Sequence, residues 1–228
     1  MKAAVILRTA LVAAATVTAA FAIYSQDQAA APTPAVEPQG IPPRASPADY
    51  QTHAQAGDVT IAAEFVGHYV PTPEGTLTAE DYVAIEVAFF GQAGSHVTLS
   101  PRDFSLRING RKAPLPSEPY TLVARGLKDP DWEMTVAKPK SKGDSEETPG
   151  IQGGPKPTPT PIKYPIEVQR AMARRTHRAS LAEGDRPLPQ AGLIFFSYRG
   201  KPSDIRSLEL IYGGPAGHAT LALQPYGA

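Results

Sequence analysis

The 228-residue sequence contains no cysteine, and this absence excludes several kinds of chemistry. No disulfide can form, so the core has to be held by apolar burial. Thiolate nucleophiles, thiolate metal ligands and a lipid-modified cysteine at a mature N-terminus are excluded as well. The sequence therefore does not encode a cysteine-dependent enzyme, a thiolate metal centre or a cysteine-anchored lipoprotein.

An excess of charge of either sign is also missing, because 22 basic residues balance 22 acidic ones. Proteins that bind nucleic acid usually carry a basic excess, so we expect no nucleic-acid partner. Tryptophan occurs once, at Trp132, where it is expected to anchor the core or to cover the exit of a long insertion. Proline is abundant instead, and its 25 residues are concentrated in a few segments, which is typical of linkers.

The N-terminal segment has the pattern of an export signal. Lys2 and Arg8 are followed by an uncharged run rich in Ala and Val, and the letters AFA at 20–22 form a small-x-small cleavage motif. We expect residues 1–22 to be a signal peptide and the protein to be periplasmic or extracellular. The alternative is an inner-membrane anchor formed by residues 9–26, which would be the sole contact with a membrane.

Two other segments lack the apolar periodicity of folded chain. Residues 23–50 are rich in Ala and Pro, which predicts a disordered tether. Residues 138–165, KPKSKGDSEETPGIQGGPKPTPTPIKYP, are expected to form a disordered insertion because they cannot bury enough apolar area to offset their ordering entropy. The folded domain is then 51–228, interrupted by this insertion.

Alternation of apolar and polar residues predicts strands in most of this domain. The residues expected on the inward faces are Val59, Ile61, Ala63, Phe65, Val83, Ile85, Val87, Phe89, Phe104, Leu106 and Ile108. Glu86, on the opposite face, is expected to reach solvent. Later strands are expected at 193–198, 208–212 and 219–223. About six or seven short strands separated by turn signals predict an all-β, immunoglobulin-like antiparallel β-sandwich.

Two turns are predicted from local sequence. Asn109-Gly110 directly follows a strand and suits a tight turn in which both residues have positive φ. Pro187 and Pro189 hold the chain extended before it re-enters the sheet at Gly192, and no nucleophile lies at that turn.

Three segments together resemble a known family. They are YVAIEVAFFGQAGSHVTLSPRDFSLRINGRK at 82–112, LPQAGLIFFSY at 188–198 and IRSLELIY at 205–212. This pattern is similar to the telokin-like, immunoglobulin-fold domains of unknown function in exported bacterial proteins. The resemblance implies a sandwich with an envelope or extracellular role and supplies no catalytic residues. Many such domains are lipoproteins, from which this chain departs by lacking cysteine, and its long insertion is atypical of them.

One basic helix is expected at about 166–183, with Pro165 at its first turn and Gly184 as its C-cap. Four of its arginines are candidate contacts for an anionic partner, which could be an envelope polymer, a lipid headgroup or an acidic protein: Arg170, Arg174, Arg175 and Arg178. The alternative is a solvated face that Glu146, Glu147 or salt neutralises.

The sequence indicates no catalytic residue, cofactor site or metal site. Gly143-Asp144-Ser145 resembles the surroundings of a serine-protease nucleophile, but Glu146-Glu147 would crowd an oxyanion. The five histidines are not spaced as zinc ligands. Asp129, Asp131 and Glu133 resemble the start of a calcium loop without its glycine and distal glutamate, so a solvated acidic turn is expected there.

The leading hypothesis is an exported, non-enzymatic immunoglobulin-like domain that mediates protein or envelope-component interactions. Its loops, an open sheet edge, or the insertion with its basic helix would contact the partner. The alternatives are a small-ligand or metal-binding carrier of the cell envelope and an envelope hydrolase built from dispersed Asp, Glu and His residues.

Overall fold

The computed structural model describes residues 39–137 and 163–225. Within these ranges the strands are β1 (Thr52–Ala56), β2 (Val59–Gly67), β3 (Tyr69–Thr72), β4 (Gly75–Ala79), β5 (Tyr82–Phe90), β6 (His96–Leu99), β7 (Phe104–Ile108), β8 (Leu115–Glu118), β9 (Leu127–Lys128), β10 (Gly184–Pro187), β11 (Gln190–Ser197), β12 (Leu208–Gly214) and β13 (Gly217–Leu223). The helices in the same ranges are α1 (Tyr120–Val123), α2 (Pro130–Ala137) and α3 (Ile166–Ala179). The predicted signal peptide and most of the predicted tether and insertion lie outside the described residues.

Antiparallel pairing joins most of the strands into one sheet. Its order is β1-β2-β5-β11-β8-β7-β12-β13. The first and last strands of this order lie alongside each other, and the Gln51 side-chain amide donates a hydrogen bond to the backbone oxygen of Gln224 at 2.9 Å. The sheet therefore curls until its edges meet, in a barrel-like form. Two smaller antiparallel sheets, β10-β6 and β3-β4-β9, accompany it, and the predicted all-β class is confirmed.

The interior of the large sheet is filled by the residues that alternation predicted. Every inward-facing residue predicted for β2, β5 and β7 is buried in one apolar cluster. Phe89, Phe104 and Tyr212 meet inside it, with ring centroids 5.0 Å apart for Phe104 and Tyr212. Burial of each large apolar side chain stabilises the fold by roughly 1.5–3 kcal/mol.

Strand β11 is buried on both faces, which explains its uninterrupted apolar run. Ile194 and Phe196 point into the large core, whereas Leu193 and Phe195 belong to a second apolar cluster on the outer face. The small sheet β3-β4-β9 and helices α1 and α3 cover that second cluster. Helix α3 contributes Met172 and other residues of its apolar stripe.

The end of the predicted tether is packed on the sheet rather than free. Three alanines are neighbours on the outer face of the large sheet, and their small side chains leave space there. They are Ala62 on β2, Ala88 on β5 and Ala191 on β11. Ile41 and Tyr50 pack against these alanines, and the Ile41 N–H donates to the Ala191 oxygen at 3.0 Å. Residues 39–50 of the predicted tether are therefore packed on the sheet, because small side chains let a second backbone approach closely. The segment 39–50 is called the strap below.

The predicted turn at Asn109-Gly110 is confirmed. Both residues have positive φ, at 53° and 66°. The Arg111 N–H donates to the Ile108 oxygen at 3.2 Å and closes the turn.

The basic helix begins where the sequence predicted but is shorter. α3 runs from Ile166 to Ala179 and does not continue to about 183. Ser180 is already extended, and the Leu181 N–H donates to the Leu193 oxygen of β11 at 2.9 Å. The chain leaves the helix early because this backbone segment pairs with the edge of β11. No helix within residues 39–137 or 163–225 is long and apolar enough to cross a bilayer.

Candidate functional site

A cleft of about 260 Å³ opens on the outer face of the large sheet. The end of α3, the segment that follows it, the start of α1 and strand β8 form its walls, and β11 forms its base. We call it the β11 cleft. It exists because β8 pairs with β11 only at Phe195 and Phe196, which leaves the preceding part of β11 without a neighbouring strand on that side.

Gly192 sets how closely the cleft wall approaches β11. The backbone of Ser180 and Leu181 crosses directly over this glycine. A Cβ at position 192 would lie 2.5 Å from the Leu181 nitrogen and 2.9 Å from the Ser180 carbonyl carbon. Only glycine leaves enough room for the two backbones to approach this closely. Gly192, where the sequence predicts that the chain re-enters the sheet, therefore also positions the wall of the cleft.

The floor and walls of the β11 cleft are apolar. Leu181, Leu193 and Phe195 line it, and each is at most 2 % exposed. Pro101 and Pro119 extend the apolar surface towards the opening. Such a surface can hold the apolar part of a small ligand, because water there has few hydrogen-bonding partners.

Polar and charged side chains surround this apolar floor. They are Arg102, Glu118, Tyr120, His177 and Glu183. Within the described residues, the side-chain polar atoms of these five make no hydrogen bond or ion pair. Binding sites commonly combine an apolar cavity with a few convergent polar groups, and these groups are available to a ligand.

Two of these side chains form an aromatic pair at one end of the cleft. The rings of Tyr120 and His177 have centroids 4.6 Å apart and planes inclined at 49°. Their contact joins the first turn of α1 to the last turn of α3. Ring packing fixes both side chains, and no described residue forms a hydrogen bond with the phenol or imidazole polar atoms.

The two serine hydroxyls that line the cleft are engaged with backbone carbonyls. Ser180 is buried and its hydroxyl donates to the Thr176 oxygen at 2.7 Å. The Ser117 hydroxyl donates to the Pro101 oxygen at 2.6 Å. A serine nucleophile needs its proton directed to a general base, and neither hydroxyl is directed to His177.

The predicted anionic-partner arginines lie in different environments. Arg170 and Arg174 are exposed, and no ion pair joins either to another described residue. Arg178 pairs with the carboxylate of Glu74. Two of the four arginines therefore present free charge at the surface of α3, whereas Arg178 and Arg175 have partners within the chain.

Arg175 interrupts the apolar face of α3 and is almost fully buried. Its Nη1 lies 2.7 Å from Oδ2 of Asp129, and the two side chains are 12 % and 10 % exposed. Asp129 also caps α2, because its Oδ1 accepts the Trp132 N–H at 3.2 Å. The predicted solvated acidic turn at Asp129 is wrong, since its carboxylate is paired inside the protein.

The two ends of the insertion are joined beside this ion pair. The Tyr164 hydroxyl donates to Glu133 and accepts the Asp129 N–H at 2.9 Å. Its ring packs on Trp132 with centroids 4.9 Å apart, which agrees with the second of the two roles expected for Trp132, that of covering the exit of the insertion. Burial, reinforced by the carboxylate of Glu133, raises the pKa of Tyr164 to about 12. The structure describes the chain again from Lys163, so these contacts of Tyr164 fall within the last residues of the predicted insertion, which extends to 165.

A second charge cluster, partly buried, joins the strap to the large sheet. Glu64 and Glu86 are directly opposite each other on β2 and β5, an arrangement that like charges disfavour. Arg44 pairs with both carboxylates, and its guanidinium stacks 4.5 Å from the centre of the Tyr50 ring. The predicted solvent exposure of Glu86 is wrong, because its side chain is only 12 % exposed.

This environment makes Glu86 a source of pH dependence. Burial raises the pKa of Glu86 above its ordinary value of 4.5, Glu64 adds to the rise, and Arg44 only partly opposes it. The folded state therefore holds the Glu86 proton more tightly than the unfolded state does. The stability that this proton contributes is present below the unfolded pKa and is lost as pH rises through the folded pKa.

We expect the wild-type protein to lose stability relative to Glu86→Gln as pH rises from 4.5, the ordinary pKa of the glutamate, through the raised pKa of the folded state. The glutamine keeps the neutral form at every pH and so lacks this ionisation. The measurement is the difference in free energy of unfolding between the two proteins, from urea titrations at a series of pH values. If the free energies of unfolding of the two proteins change in parallel across that pH window, the raised pKa of Glu86 is contradicted.

The described histidines do not assemble a metal centre. The ring nitrogens of His68 face three backbone oxygens, those of Ala79, Tyr82 and Gly200, at 2.8–3.0 Å. In residues 39–137 and 163–225, no group of three or more His, Cys, Asp and Glu side chains is arranged to hold a metal ion.

The chain is an all-β antiparallel protein with a barrel-like main sheet and a small cavity, the β11 cleft, on the outer face of that sheet. Comparisons of the chain with protein-family models, with curated proteins and with solved structures found no match. The cleft is therefore interpreted from its own geometry.

Sequence reasoning did not identify the β11 cleft. Its polar and charged residues come from separate parts of the chain, and only His177 and Glu183 lie within the basic helix predicted at about 166–183. Gly192 was the one signal available, because a glycine inside a buried strand indicates close approach of another backbone. The sequence alone does not indicate which backbone segment packs against Gly192.

Proposed function

We propose that this protein is an exported, non-catalytic binding protein whose β11 cleft takes a small ligand. The observation that carries the proposal is the set of five polar side chains around an apolar floor, none with a hydrogen-bonding partner among the described residues. The geometry favours the small-ligand alternative over a docking surface on the basic helix. On that helix, Arg175 and Arg178 already have intramolecular partners.

The non-catalytic part of the proposal rests on the serines and on the charge clusters. The hydroxyls in the cleft donate to backbone oxygens, so neither is activated by a base. Asp129 and Glu86, the carboxylates that pair with Arg175 and Arg44, do not line the cleft. Export is proposed from the N-terminal sequence alone.

An immunoglobulin-like sandwich is the finer fold that we propose. One half of the large sheet, β1-β2-β5-β11, and the other half, β7-β12-β13, contribute side chains to the same core. Strand β8 pairs with both β11 and β7 and so connects the halves. Two layers enclosing one core are the defining feature of a sandwich.

Because the chain has no cysteine, a single introduced thiol can report whether the cleft is occupied. Ser117→Cys places that thiol at the cleft wall with little change of shape. The rate of its alkylation by iodoacetamide is measured alone and with mixtures of amino acids, monosaccharides, nucleosides or short-chain fatty acids. At least one mixture is expected to slow the reaction, roughly tenfold at ten times the dissociation constant.

Ser105→Cys on the neighbouring strand β7 is the matched control. Ser105 is half-buried like Ser117 but does not line the cleft. Its alkylation rate should be the same with and without every mixture. Equal rates for Ser117→Cys under all conditions would contradict the proposed function.

A further inference from the structure

We infer that the ligand of the β11 cleft is a zwitterion with an apolar body, of the size and chemistry of a free α-amino acid. This inference rests on the proposed function and specifies what the cleft binds. Three features of the β11 cleft support it. They are the signs of the charged residues without an ion-pair partner among the described residues, the apolar floor and the volume of the cleft.

The cleft presents charges of both signs that do not neutralise each other. The residues that line it include Arg102, which carries a guanidinium, and Glu118 and Glu183, which carry carboxylates. No ion pair joins Arg102 to either glutamate. A guanidinium binds a carboxylate through charge-assisted hydrogen bonds, and a carboxylate binds an ammonium group in the same way.

A ligand with one charge would satisfy only part of this arrangement. A simple amine would bring no partner for Arg102, and a simple carboxylic acid would bring none for the two glutamates. Such a ligand would also partly remove the unmatched group from water, which costs binding free energy. A zwitterion pairs with both signs at once and therefore fits the rim best.

The rest of the cleft matches an apolar side chain. Leu181, Leu193 and Phe195 provide a dry floor, and the Tyr120–His177 ring pair closes one end. The volume of about 260 Å³ is smaller than the roughly 300–1,000 Å³ that drug-sized ligands occupy. A single amino acid such as leucine or phenylalanine is of suitable size, whereas a longer peptide is not.

The test compares leucine with two analogues that each lack one charged group, isoamylamine and 4-methylpentanoate. Calorimetric titration of the full chain measures the dissociation constant of each. Leucine is expected to bind at least about tenfold more tightly than either analogue, because each analogue loses a charge-assisted hydrogen-bonding group. Phenylalanine with its amine and acid analogues repeats the comparison for an aromatic body.

Variants of the charged cleft residues test which of them binds the carboxylate of the ligand and which bind its ammonium group. Arg102→Gln should remove the preference for leucine over isoamylamine, and the double change Glu118→Gln with Glu183→Gln should remove the preference for leucine over 4-methylpentanoate. Arg206→Gln, which changes an exposed arginine that does not line the cleft, is the matched control and should leave all three constants unchanged.

The outcomes separate this inference from the proposed function. The zwitterion inference is overturned if an analogue binds as tightly as leucine, or if no amino acid binds while another mixture protects Ser117→Cys. In either case the proposed function, binding of a small ligand in the β11 cleft, still stands. If no mixture protects that thiol and no titration shows binding, both are overturned.

Discussion

Replacing Asp129 by asparagine is expected to lower the free energy of unfolding by about 3 kcal/mol. The change removes the negative charge that faces Arg175 at 2.7 Å, where both side chains are largely buried. Asparagine caps helices as well as aspartate does, so the cap of α2 is retained and the loss reports the charge. The expected loss lies at the low end of the range for a broken buried ion pair, because the Glu74 carboxylate lies 3.9 Å from the same Arg175 guanidinium.

The measurement is chemical denaturation followed by the fluorescence of Trp132, the sole tryptophan, and by circular dichroism. Coincident transitions from the two signals are required before a free energy is assigned. The double replacement Asp129→Leu with Arg175→Met should recover much of the loss, because it leaves no unpaired buried charge.

A neighbouring surface pair supplies the control. Lys128 Nζ lies 2.5 Å from Glu80 Oε1, but both side chains are largely exposed, at 44 % and 69 %. Glu80→Gln should change the stability by less than about 1 kcal/mol. Equal effects of Asp129→Asn and Glu80→Gln would show that burial of the Arg175 pair is not the deciding factor.

Gly192→Ala is the other replacement with a large expected effect, a loss of about 3 kcal/mol. The added methyl group would lie 2.5 Å from the Leu181 nitrogen, and a backbone cannot move aside as a side-chain end can. The segment 180–181 would have to lift away from β11. That shift would break the hydrogen bond between the Leu181 N–H and the Leu193 oxygen and would open the wall of the cleft.

Gly213→Ala in strand β12 is the matched control for Gly192→Ala. A Cβ there would meet only the His218 ring, at 3.4 Å, and the backbone conformation is ordinary. Its effect should stay below about 1 kcal/mol. Because Gly192→Ala also moves the cleft wall, leucine binding should weaken with it and remain unchanged in Gly213→Ala. A Gly192→Ala protein as stable as wild type would contradict the close approach of the two backbones.

The core could be predicted from sequence because its information is local. In β5, alternation alone placed Val83, Ile85, Val87 and Phe89 on the inward face, and all are buried there. Alternation did not predict the short strands such as β3, β8 and β10. Their sequences YVPT, LPSE and GDRP contain proline and few apolar residues, so the pattern is absent even though the chain pairs.

The charge clusters and the cleft depend on contacts between distant residues. Glu86 has the sequence context of a solvent-exposed strand residue, and only the strap, 42 positions earlier, explains its burial beside Arg44. Asp129 has the context of a surface turn, but α3 brings Arg175 to it from beyond the insertion. Periodicity describes which face a residue occupies and contains no information about which segment covers that face.

The most direct test of the account is an NMR titration of the uniformly ¹⁵N-labelled full chain with leucine and, separately, with each of the other small-molecule mixtures. For at least one of them, we expect concentration-dependent shifts concentrated at the amides of Glu118, Tyr120, His177 and Leu181. Shifts confined to other surfaces, or an unchanged spectrum with every addition, would contradict the claim that the β11 cleft is the binding site.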